Sequence, residues 1–422
     1  MKTKRAIAVG ITAFAVLVGI TCFYFFAQAG NLEPSAPPDS TMKTLDEVEP
    51  RTPIHSADLP LTISQSGSYY IAENITFSTV DTNGITITAS NVTIDLCGFT
   101  IQGPNTGTAG AAIASDSQAI ENITILNGTI TGWHRGINLM GKVSHLQNIK
   151  LSSSLNGGIY ASDNAHIEGC SANHCGLYGI RIGAKGSVIN CTCANNSYAP
   201  MTIEMANGIE TGDTCTISKC VVSNNGNYGI YAGNHCVIEN CTANSNGSAG
   251  ISALANAVIS KCASNDNEYY NGMFWSGDGI KIYNGGVVKD CTASGNKCNG
   301  IYASSDGVIT NCTVYDNKIN GINATRCRIN NCTASENDNS GIYASLGCSI
   351  YGNDLASNNI GIYLSNVGNT VRDNHFFVNT TYGLSVNEQK NYSAQNTFYN
   401  NGTNINGAHL QGTGDMANVI IP

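Results

Sequence analysis

The segment GIYAGNHCVIENCTANSNGSA, residues 229–249, is followed directly by GISALANAVISKCASNDN, residues 250–267. Both segments open on Gly-Ile, place a Cys three residues after a second Ile, and carry an Asn seventeen residues after the Gly. The Gly of this Gly-Ile pair recurs at Gly136, Gly158, Gly179, Gly208, Gly229, Gly250, Gly279, Gly300, Gly321, Gly341 and Gly361. Most of the intervals are about 21 residues, and self-similarity at such a period is the signature of a solenoid.

Within one unit the apolar residues alternate with period two, and the 3.6-residue period of a helix is absent. Ile230 and Ala232 then point to the interior, and Tyr231 points outward. Two more short strands follow, separated by a corner at Asn240. This pattern predicts an all-β fold, a single-stranded right-handed parallel β-helix with rungs of about 21 residues that stack roughly 4.8 Å apart.

Two columns of identical residues support this prediction. Stacked amides at a corner can hydrogen-bond along the column, and the small Cys side chains suit a narrow interior. The first column is Asn196, Asn225, Asn246, Asn267, Asn296, Asn317, Asn337 and Asn358. The second column is Cys170, Cys191, Cys220, Cys241, Cys262, Cys291, Cys312 and Cys332. Both columns are interpreted as structural.

The Gly-Ile-x-x, Ile-x-Asn-Cys-Thr and Asn units resemble the parallel β-helix repeats of the carbohydrate-binding and sugar-hydrolase group, which includes NosD-like proteins and shares the pectate-lyase-like fold. The stretch from Asn91 to Ile101 is similar to the first rungs of many secreted members. The resemblance covers roughly residues 60–400. It implies the fold strongly and a carbohydrate-related role more weakly, because the shared residues build the wall.

The chain has seventeen Cys, most of them at inward positions that recur by rung. In-register Cβ atoms on neighbouring rungs are separated by roughly the 4.8 Å strand spacing, which exceeds the ~3.8 Å that a disulfide prefers. We therefore expect buried free thiols. No Cys-x-x-Cys spacing occurs and the His residues are scattered, so no metal site is expected.

The N-terminal region predicts export. Residues 1–29 form a signal peptide or a signal anchor, because an uncharged stretch at residues 6–27 follows basic residues and is long enough to span a bilayer. Either outcome places the rest outside the cytoplasm, anchored or secreted. A Pro-rich acidic linker at 30–60, the β-helix at 61–402 and a capping segment at 403–422 complete the predicted organisation.

Composition limits the partners. The net charge is −9 and there is no basic cluster, which excludes nucleic acid. A polysaccharide or another cell-envelope glycan is the expected partner, and a polyanionic one would need a bridging cation. No cofactor is predicted; calcium stays open without a motif that indicates it. The oligomeric state is also open.

Departures from the repeat mark the places where function can lie. Two units are about eight residues longer than the others, through inserts at 197–207 and 268–278. They leave the coil at the same corner about 14 Å apart, which predicts two walls of one cleft or two unrelated loops. The outward position of the first strand is often Tyr, which can stack on sugars or simply suit a strand. The candidate ligand-binding residues are Tyr160, Tyr231, Trp275, Lys281, Tyr302 and Glu204.

Catalysis is the alternative to binding. Hydrolysis of a glycosidic bond requires two carboxylates about 5–9.5 Å apart, and elimination requires a base. The candidate catalytic residues are Glu210, Asp213, Arg181 and Asp278. Three functions therefore remain at this point: carbohydrate or surface binding, a polysaccharide lyase or glycoside hydrolase, and a structural stalk.

Overall fold

The Gly-Ile repeat folds into stacked rungs whose strands pair in parallel and in register. The computed structural model describes residues 50–197, 206–270, 275–407 and 418–421, with the backbone alone for 269–270 and 275–276. Ile209 pairs with Ile230, and Ile230 with Ile251. The predicted all-β, right-handed parallel β-helix is confirmed, with about 16 turns in the described part of the chain.

The first strand of each rung belongs to a sheet that has 16 strands in the described residues, here called the first-strand sheet. Its strands are Leu61–Ile63, Ile85–Ile87, Ala111–Ser115, Arg135–Leu139, Gly157–Ala161, Tyr178–Ile182, Asn207–Thr211, Ile230–Ala232, Ile251–Ala253, Ile280–Ile282, Ile301–Ala303, Ile322–Ala324, Ser340–Ala344, Ile360–Leu364, Tyr382–Val386 and Thr403–Asn406.

The second and third strands of each rung form the other large sheet, which has 30 strands in the described residues. Two long strands, Glu121–Thr131 and Lys142–Ser152, span both positions. The remaining second strands are Thr52–Ile54, Gly67–Ile71, Val92–Asp95, His166–Glu168, Ser187–Ile189, Thr216–Ser218, Val237–Glu239, Val258–Ser260, Val287–Lys289, Val308–Thr310, Arg328–Asn330, Ser349–Tyr351, Thr370–Arg372 and Tyr392–Ala394. The remaining third strands are Ile75–Thr76, Thr100–Gln102, Ser171–Asn173, Thr192–Ala194, Val221–Ser223, Thr242–Asn244, Ala263–Asn265, Thr292–Ser294, Thr313–Tyr315, Thr333–Ser335, Asp354–Ala356, His375–Phe377, Thr397–Tyr399 and Val419–Ile421.

The interior of the coil is narrow, which explains the Gly of the repeat. A Cβ atom at Gly229 would lie 2.5 Å from the carbonyl oxygen of Gly250 and 2.6 Å from Nδ2 of Asn246. The following Ile230 is fully buried. Glycine is therefore required because the corner amide of the same rung and the backbone of the next rung occupy the space of a side chain. At the next corner, Asn240 adopts a φ of 54°, a conformation that Asn tolerates better than most residues.

The Asn column forms the predicted ladder. Asn246 Oδ1 accepts hydrogen bonds from the backbone N–H of Asn225 at 3.2 Å and from its Nδ2 at 2.9 Å. Asn246 donates in turn to Asn267 Oδ1, from its backbone N–H at 3.0 Å and from Nδ2 at 3.2 Å. The same pattern continues along the column, and these amides are buried.

The prediction of unpaired thiols is confirmed for the described residues. None of the sixteen Cys that the structure describes forms a disulfide, and all except Cys97 are buried. Burial raises the pKa of Cys175 to about 11 and that of Cys193 well above its usual value. Cys175 and Cys193 therefore stay protonated and pack as small apolar groups.

The ends of the solenoid depart from the predicted boundaries. The first strand, Thr52–Ile54, lies inside the segment predicted as linker 30–60 and pairs with Gly67–Ile71. A short 3-10 helix at Ser56–Asp58 follows it. The strand Thr403–Asn406 extends the first-strand sheet into the segment predicted as the C-terminal cap.

The early rungs are wider and need a larger side chain. Trp133 is buried, stacks on Phe77 at 5.3 Å between ring centroids, and donates from Nε1 to the Ile101 carbonyl at 3.3 Å. The predicted signal or anchor, residues 1–29, lies outside the described residues. Among the described residues, no helix is long and apolar enough to cross a membrane.

Candidate functional site

The outward column of the first-strand sheet has the register that the sequence predicts. Tyr160 pairs with Arg181, which pairs with Glu210. Glu210 pairs with Tyr231, and the column continues through Ser252, Lys281 and Tyr302. One side chain from each rung therefore lies on a continuous strip, in which neighbouring rungs are about 4.8 Å apart.

Arg181 and Glu210 form an ion pair on this strip. Arg181 Nε lies 3.3 Å from Glu210 Oε1, and Asn207 Nδ2 donates to Glu210 Oε2 at 3.1 Å. Both carboxylate oxygens thus have partners, and the Arg side chain is about half exposed. This arrangement fixes the orientation of the carboxylate.

Tyr side chains form an aromatic patch on the rungs that follow Glu210. Tyr228 and Tyr231 stack at 5.3 Å between centroids. Burial raises the pKa of Tyr231, and the neighbouring Tyr228, Tyr283 and Glu210 add to the rise. Tyr283 lies two rungs away, with one rung between it and Tyr231. That rung carries Ser252, whose side chain is fully buried with no hydrogen-bond partner for Oγ among the described residues.

Lys281 completes the patch below Ser252. Its ammonium lies 5.5 Å from the ring centroid of Tyr283 and 5.4 Å from that of Tyr302, both within cation–π range. Burial alone lowers the pKa of Lys281, but Tyr283, the Asp278 carboxylate and Tyr228 outweigh burial and raise it. Lys281 is therefore a fixed cation. We call Tyr228, Tyr231, Ser252, Lys281, Tyr283 and Tyr302 the Tyr-Lys patch.

Asp278 lies beside the patch, at the start of the Lys281 strand. Its Oδ1 accepts hydrogen bonds from Asn299, from the backbone N–H at 3.0 Å and from Nδ2 at 2.8 Å. Burial raises the pKa of Asp278, while the Asn299 hydrogen bonds and Lys281 act in the opposite direction. The equivalent position is an amide at Asn207, Asn299 and Asn320. The two rungs that follow Asp278 therefore carry an amide at this position, whereas the two rungs before it carry Tyr228 and Ala249.

The structure brings together only part of the predicted site. Asp213 lies at the other end of its strand, where Oδ1 accepts hydrogen bonds from Asn234 at 2.7 and 3.0 Å, so it stabilises a corner rather than facing Glu210. Tyr160 lies above Arg181, outside the Tyr-Lys patch. Glu204 is outside the described residues, as is the side chain of Trp275. Whether the two inserts wall a cleft stays a prediction.

Sequence reasoning overlooked Tyr228 and Tyr283. They flank the outward column, one directly before a Gly and the other four residues after one. The rungs can be aligned on the repeat Gly, with the residues just before the Gly and four residues after it compared as well as the outward column. This alignment places Tyr228, Tyr231 and Tyr283 within two rungs of one another. The alignment also shows that Asp278 is an acid at a position where the next two rungs carry Asn299 and Asn320.

Distances along the strip restrict the chemistry. Glu210 and Asp278 lie on rungs three steps apart, about 14 Å, which exceeds the separation of about 5–9.5 Å in glycosidases. The raised pKa of Lys281 opposes a role as a general base, because such a base needs a lowered pKa.

Several solved structures are similar to the chain. The A-module of the Azotobacter vinelandii mannuronan C-5 epimerase AlgE6 is similar, with 13% identity, a TM-score of 0.37 and coverage of 85% of this chain and 91% of that one. A double mutant of the periplasmic alginate epimerase AlgG has 12% identity, a TM-score of 0.47 and 83% coverage of both chains. The Dettilon tailspike protein has 19% identity and a TM-score of 0.47; the match covers 65% of this chain and 62% of the tailspike chain.

No curated protein matches the chain in sequence. Residues 203–360 match the family model described as "Right handed beta helix region". These are the rungs that hold the Tyr-Lys patch and most of both buried columns. The match and the parallel register of the two large sheets together show the right-handed parallel β-helix fold.

Proposed function

We propose that the chain binds a polysaccharide on the Tyr-Lys patch. The carrying observation is the cluster itself: Lys281 lies between two Tyr rings, beside the half-buried acid Asp278 and one rung below the buried Ser252. The rest of the strip extends along the solenoid axis, which suits a long polymer better than a small molecule.

The aromatic groups supply the contact surface. Tyr presents a ring that can stack on the apolar face of a sugar and a hydroxyl that can bond to its edge. Tyr231 and Tyr302 are half-buried, so each ring is fixed by its neighbours while part of it remains accessible. A surface that is already ordered loses little conformational entropy when it binds.

The charges favour a neutral or weakly charged polymer. Arg181 is paired with Glu210, and Lys281 interacts with Asp278. Positive charge on the strip is therefore largely balanced locally, and the chain as a whole carries −9. A strongly anionic polymer would meet net repulsion without a bridging cation.

Asp278 supports function over a purely structural role. An amide at this position would continue the hydrogen bonds made by Asn299 and Asn320 without burying a charge. Residues whose environment opposes their charge concentrate at functional sites. In the proposal, the carboxylate holds the Lys281 ammonium over the patch and offers an acceptor to sugar hydroxyls.

The test is a binding screen of the full-length protein against neutral and uronate-containing polysaccharides. Lys281→Met and Tyr231→Ala should each weaken binding of the retained polymer by roughly tenfold, about 1.4 kcal/mol. Tyr315→Ala is the matched control, because Tyr315 is an exposed Tyr on the other large sheet and should not change the affinity. Equal affinities for all variants, with unchanged melting temperatures, would refute the proposal.

Turnover is measured in the same samples. Reducing-end release reports hydrolysis, and the ultraviolet absorbance of unsaturated uronates reports elimination. We expect neither. Cleavage that Asp278→Asn abolishes would instead assign the patch to a polysaccharide-cleaving enzyme, the alternative function predicted from the sequence.

Export is part of the proposal, because a cell-surface glycan is reached only outside the cytoplasm. Residues 1–29 are proposed to direct it, either as a cleaved signal or as an anchor at 6–27. Fractionation with N-terminal sequencing of the mature chain distinguishes the two. Recovery of the intact chain in the cytoplasm would contradict both.

A further inference from the structure

A second cluster lies away from the Tyr-Lys patch, on the second strands of two neighbouring early rungs. His145 and His166 are direct register partners, and Gln147 and Glu168 form the next outward pair. One nitrogen of each His and one oxygen of Glu168 all lie within 4.8 Å of one another. We propose that His145, His166 and Glu168 bind a divalent transition-metal ion, with Zn²⁺ as the best match.

One nitrogen of the cluster lacks a partner. His145 Nε2 is buried and has no hydrogen-bond partner among the described residues. A buried polar atom without a partner costs about 1–3 kcal/mol, so such an atom calls for an explanation. Its neighbour is another imidazole, His166, with ring centroids 5.1 Å apart. A metal ion between them would satisfy both rings.

The other two ligands are held by outer partners. His166 Nδ1 is hydrogen-bonded to the Ser187 hydroxyl, which leaves Nε2 facing the cluster, 3.8 Å from Glu168 Oε2. Gln147 Nε2 donates to Glu168 Oε2 at 3.3 Å. A His whose second nitrogen is fixed by a neighbour, beside a carboxylate that is itself hydrogen-bonded, is the usual surrounding of metal ligands.

An ordinary ion pair explains less of this arrangement. The His166–Glu168 pair is about 40% exposed, and such pairs contribute about 0–1 kcal/mol. It gives no role to His145. Two His and one carboxylate form a ligand set of Zn²⁺ enzymes and of non-haem iron sites, with further positions open to water or a ligand.

The distances suit a metal after small side-chain rotations. Ligand atoms around a tetrahedral Zn²⁺ with bonds of about 2.0–2.1 Å lie about 3.4 Å apart. The 3.8 Å between His166 Nε2 and Glu168 Oε2 needs a change of a few tenths of an ångström. Strand pairing fixes the Cβ atoms of His145 and His166 on adjacent rungs, so only side-chain torsions need to adjust.

The test uses the full-length protein, stripped with chelator and titrated with Zn²⁺ by calorimetry. We expect one ion per chain with a micromolar or tighter Kd. His166→Ala and Glu168→Gln should each weaken binding at least a hundredfold, and Ser187→Ala about tenfold through loss of its hold on His166. His375→Ala is the matched control, since His375 is an exposed strand His bonded to Asp354 at 3.0 Å, and it should leave the Kd unchanged.

Cobalt substitution separates this site from the many thiols. Co²⁺ bound by His and Glu gives visible bands without a sulfur-to-cobalt charge-transfer band, and Glu168→Gln should alter the visible spectrum. Thiolate charge transfer, a Kd unaffected by Glu168→Gln, or no Zn²⁺ binding at 100-fold excess over protein would each overturn the proposal. Glu168→Gln keeps the size of an exposed side chain, so this variant serves if His166→Ala fails to fold.

Discussion

The Asn ladder gives the sharpest test of what stabilises the solenoid, and Asn246→Ala is the perturbation we choose. The side chain of Asn246 takes part in four hydrogen bonds: two that it accepts from Asn225, one that it donates to Asn267 and one that it donates to the Val222 carbonyl at 3.3 Å. All four are buried. At about 1 kcal/mol each, their loss costs about 4 kcal/mol.

The backbone N–H of Asn225 adds to this loss. It points to Asn246 Oδ1 and becomes an unpaired buried donor in the variant, at a cost of about 1–3 kcal/mol. Nδ2 of Asn225 keeps its bond to the Cys193 carbonyl at 3.2 Å, so it is not orphaned. The free energy of unfolding should therefore fall by about 5–7 kcal/mol, a large fraction of the stability of a typical domain.

The assay is urea denaturation of the full-length protein followed by circular dichroism. Hydrogen exchange adds spatial resolution, because rungs contact only their neighbours and protection should fall first around residues 225–267. Thr242→Ala is the matched control, a substitution of an outward-facing side chain in the same rung, with an expected change within about 0.5 kcal/mol. A loss below about 1 kcal/mol for Asn246→Ala would show that the ladder is not a major source of stability.

Three further predictions concern other parts of the wall. In the folded protein, iodoacetamide should label Cys97 and leave the other described Cys unmodified, as peptide mapping before and after denaturation will show. Asp278→Asn should raise the free energy of unfolding at pH 7, and this gain should shrink as the pH falls towards 4. Burial raises the pKa of Asp278, so the folded wild type is favoured when Asp278 is protonated and loses that advantage as the pH rises through the raised pKa. A gain that does not change with pH in urea titrations would contradict this prediction. Gly229→Ala should lower the melting temperature sharply, because its Cβ would lie 2.5 Å from the Gly250 carbonyl oxygen; an unchanged value would show that the rungs can separate.

Most of the fold was predictable because each rung has the same arrangement of inward and outward residues and stacks on an equivalent rung. Period-two alternation assigned Tyr231 outward and Ile230 inward, and the register confirms both. The amide column was predictable for the same reason, since a residue type that recurs once per rung must stack on itself. The boundary at Thr52 was not, because the strands Thr52–Ile54 and Leu61–Ile63 lack the Gly-Ile signal.

The candidate sites were less predictable, because they depend on side chains that meet across rungs. Ser252 occupies an outward position, yet it is buried beneath larger neighbours, which alternation within its own strand does not reveal. His145 and His166 are 21 residues apart in sequence and adjacent in space. A search for metal motifs at spacings of two to five residues overlooks such a pair, whereas a search at the rung period finds it.

Cys and Asn replace each other in one inward column of the solenoid, and this exchange shows that the inward residues do not determine the function. In the middle rungs, the backbone N–H of Cys262 points to the sulfur of Cys291 at 3.5 Å, a weak interaction. Towards the C-terminus the same column becomes Asn: Cys332 donates its backbone N–H to Asn353 Oδ1 at 2.9 Å, and Asn353 continues a second amide ladder. Cys and Asn thus meet the same geometric need, one chiefly by apolar burial and the other by hydrogen bonding. Because the backbone is stacked either way, outward residues such as Lys281 are free to vary without loss of the fold, and it is there that selection for a ligand can act.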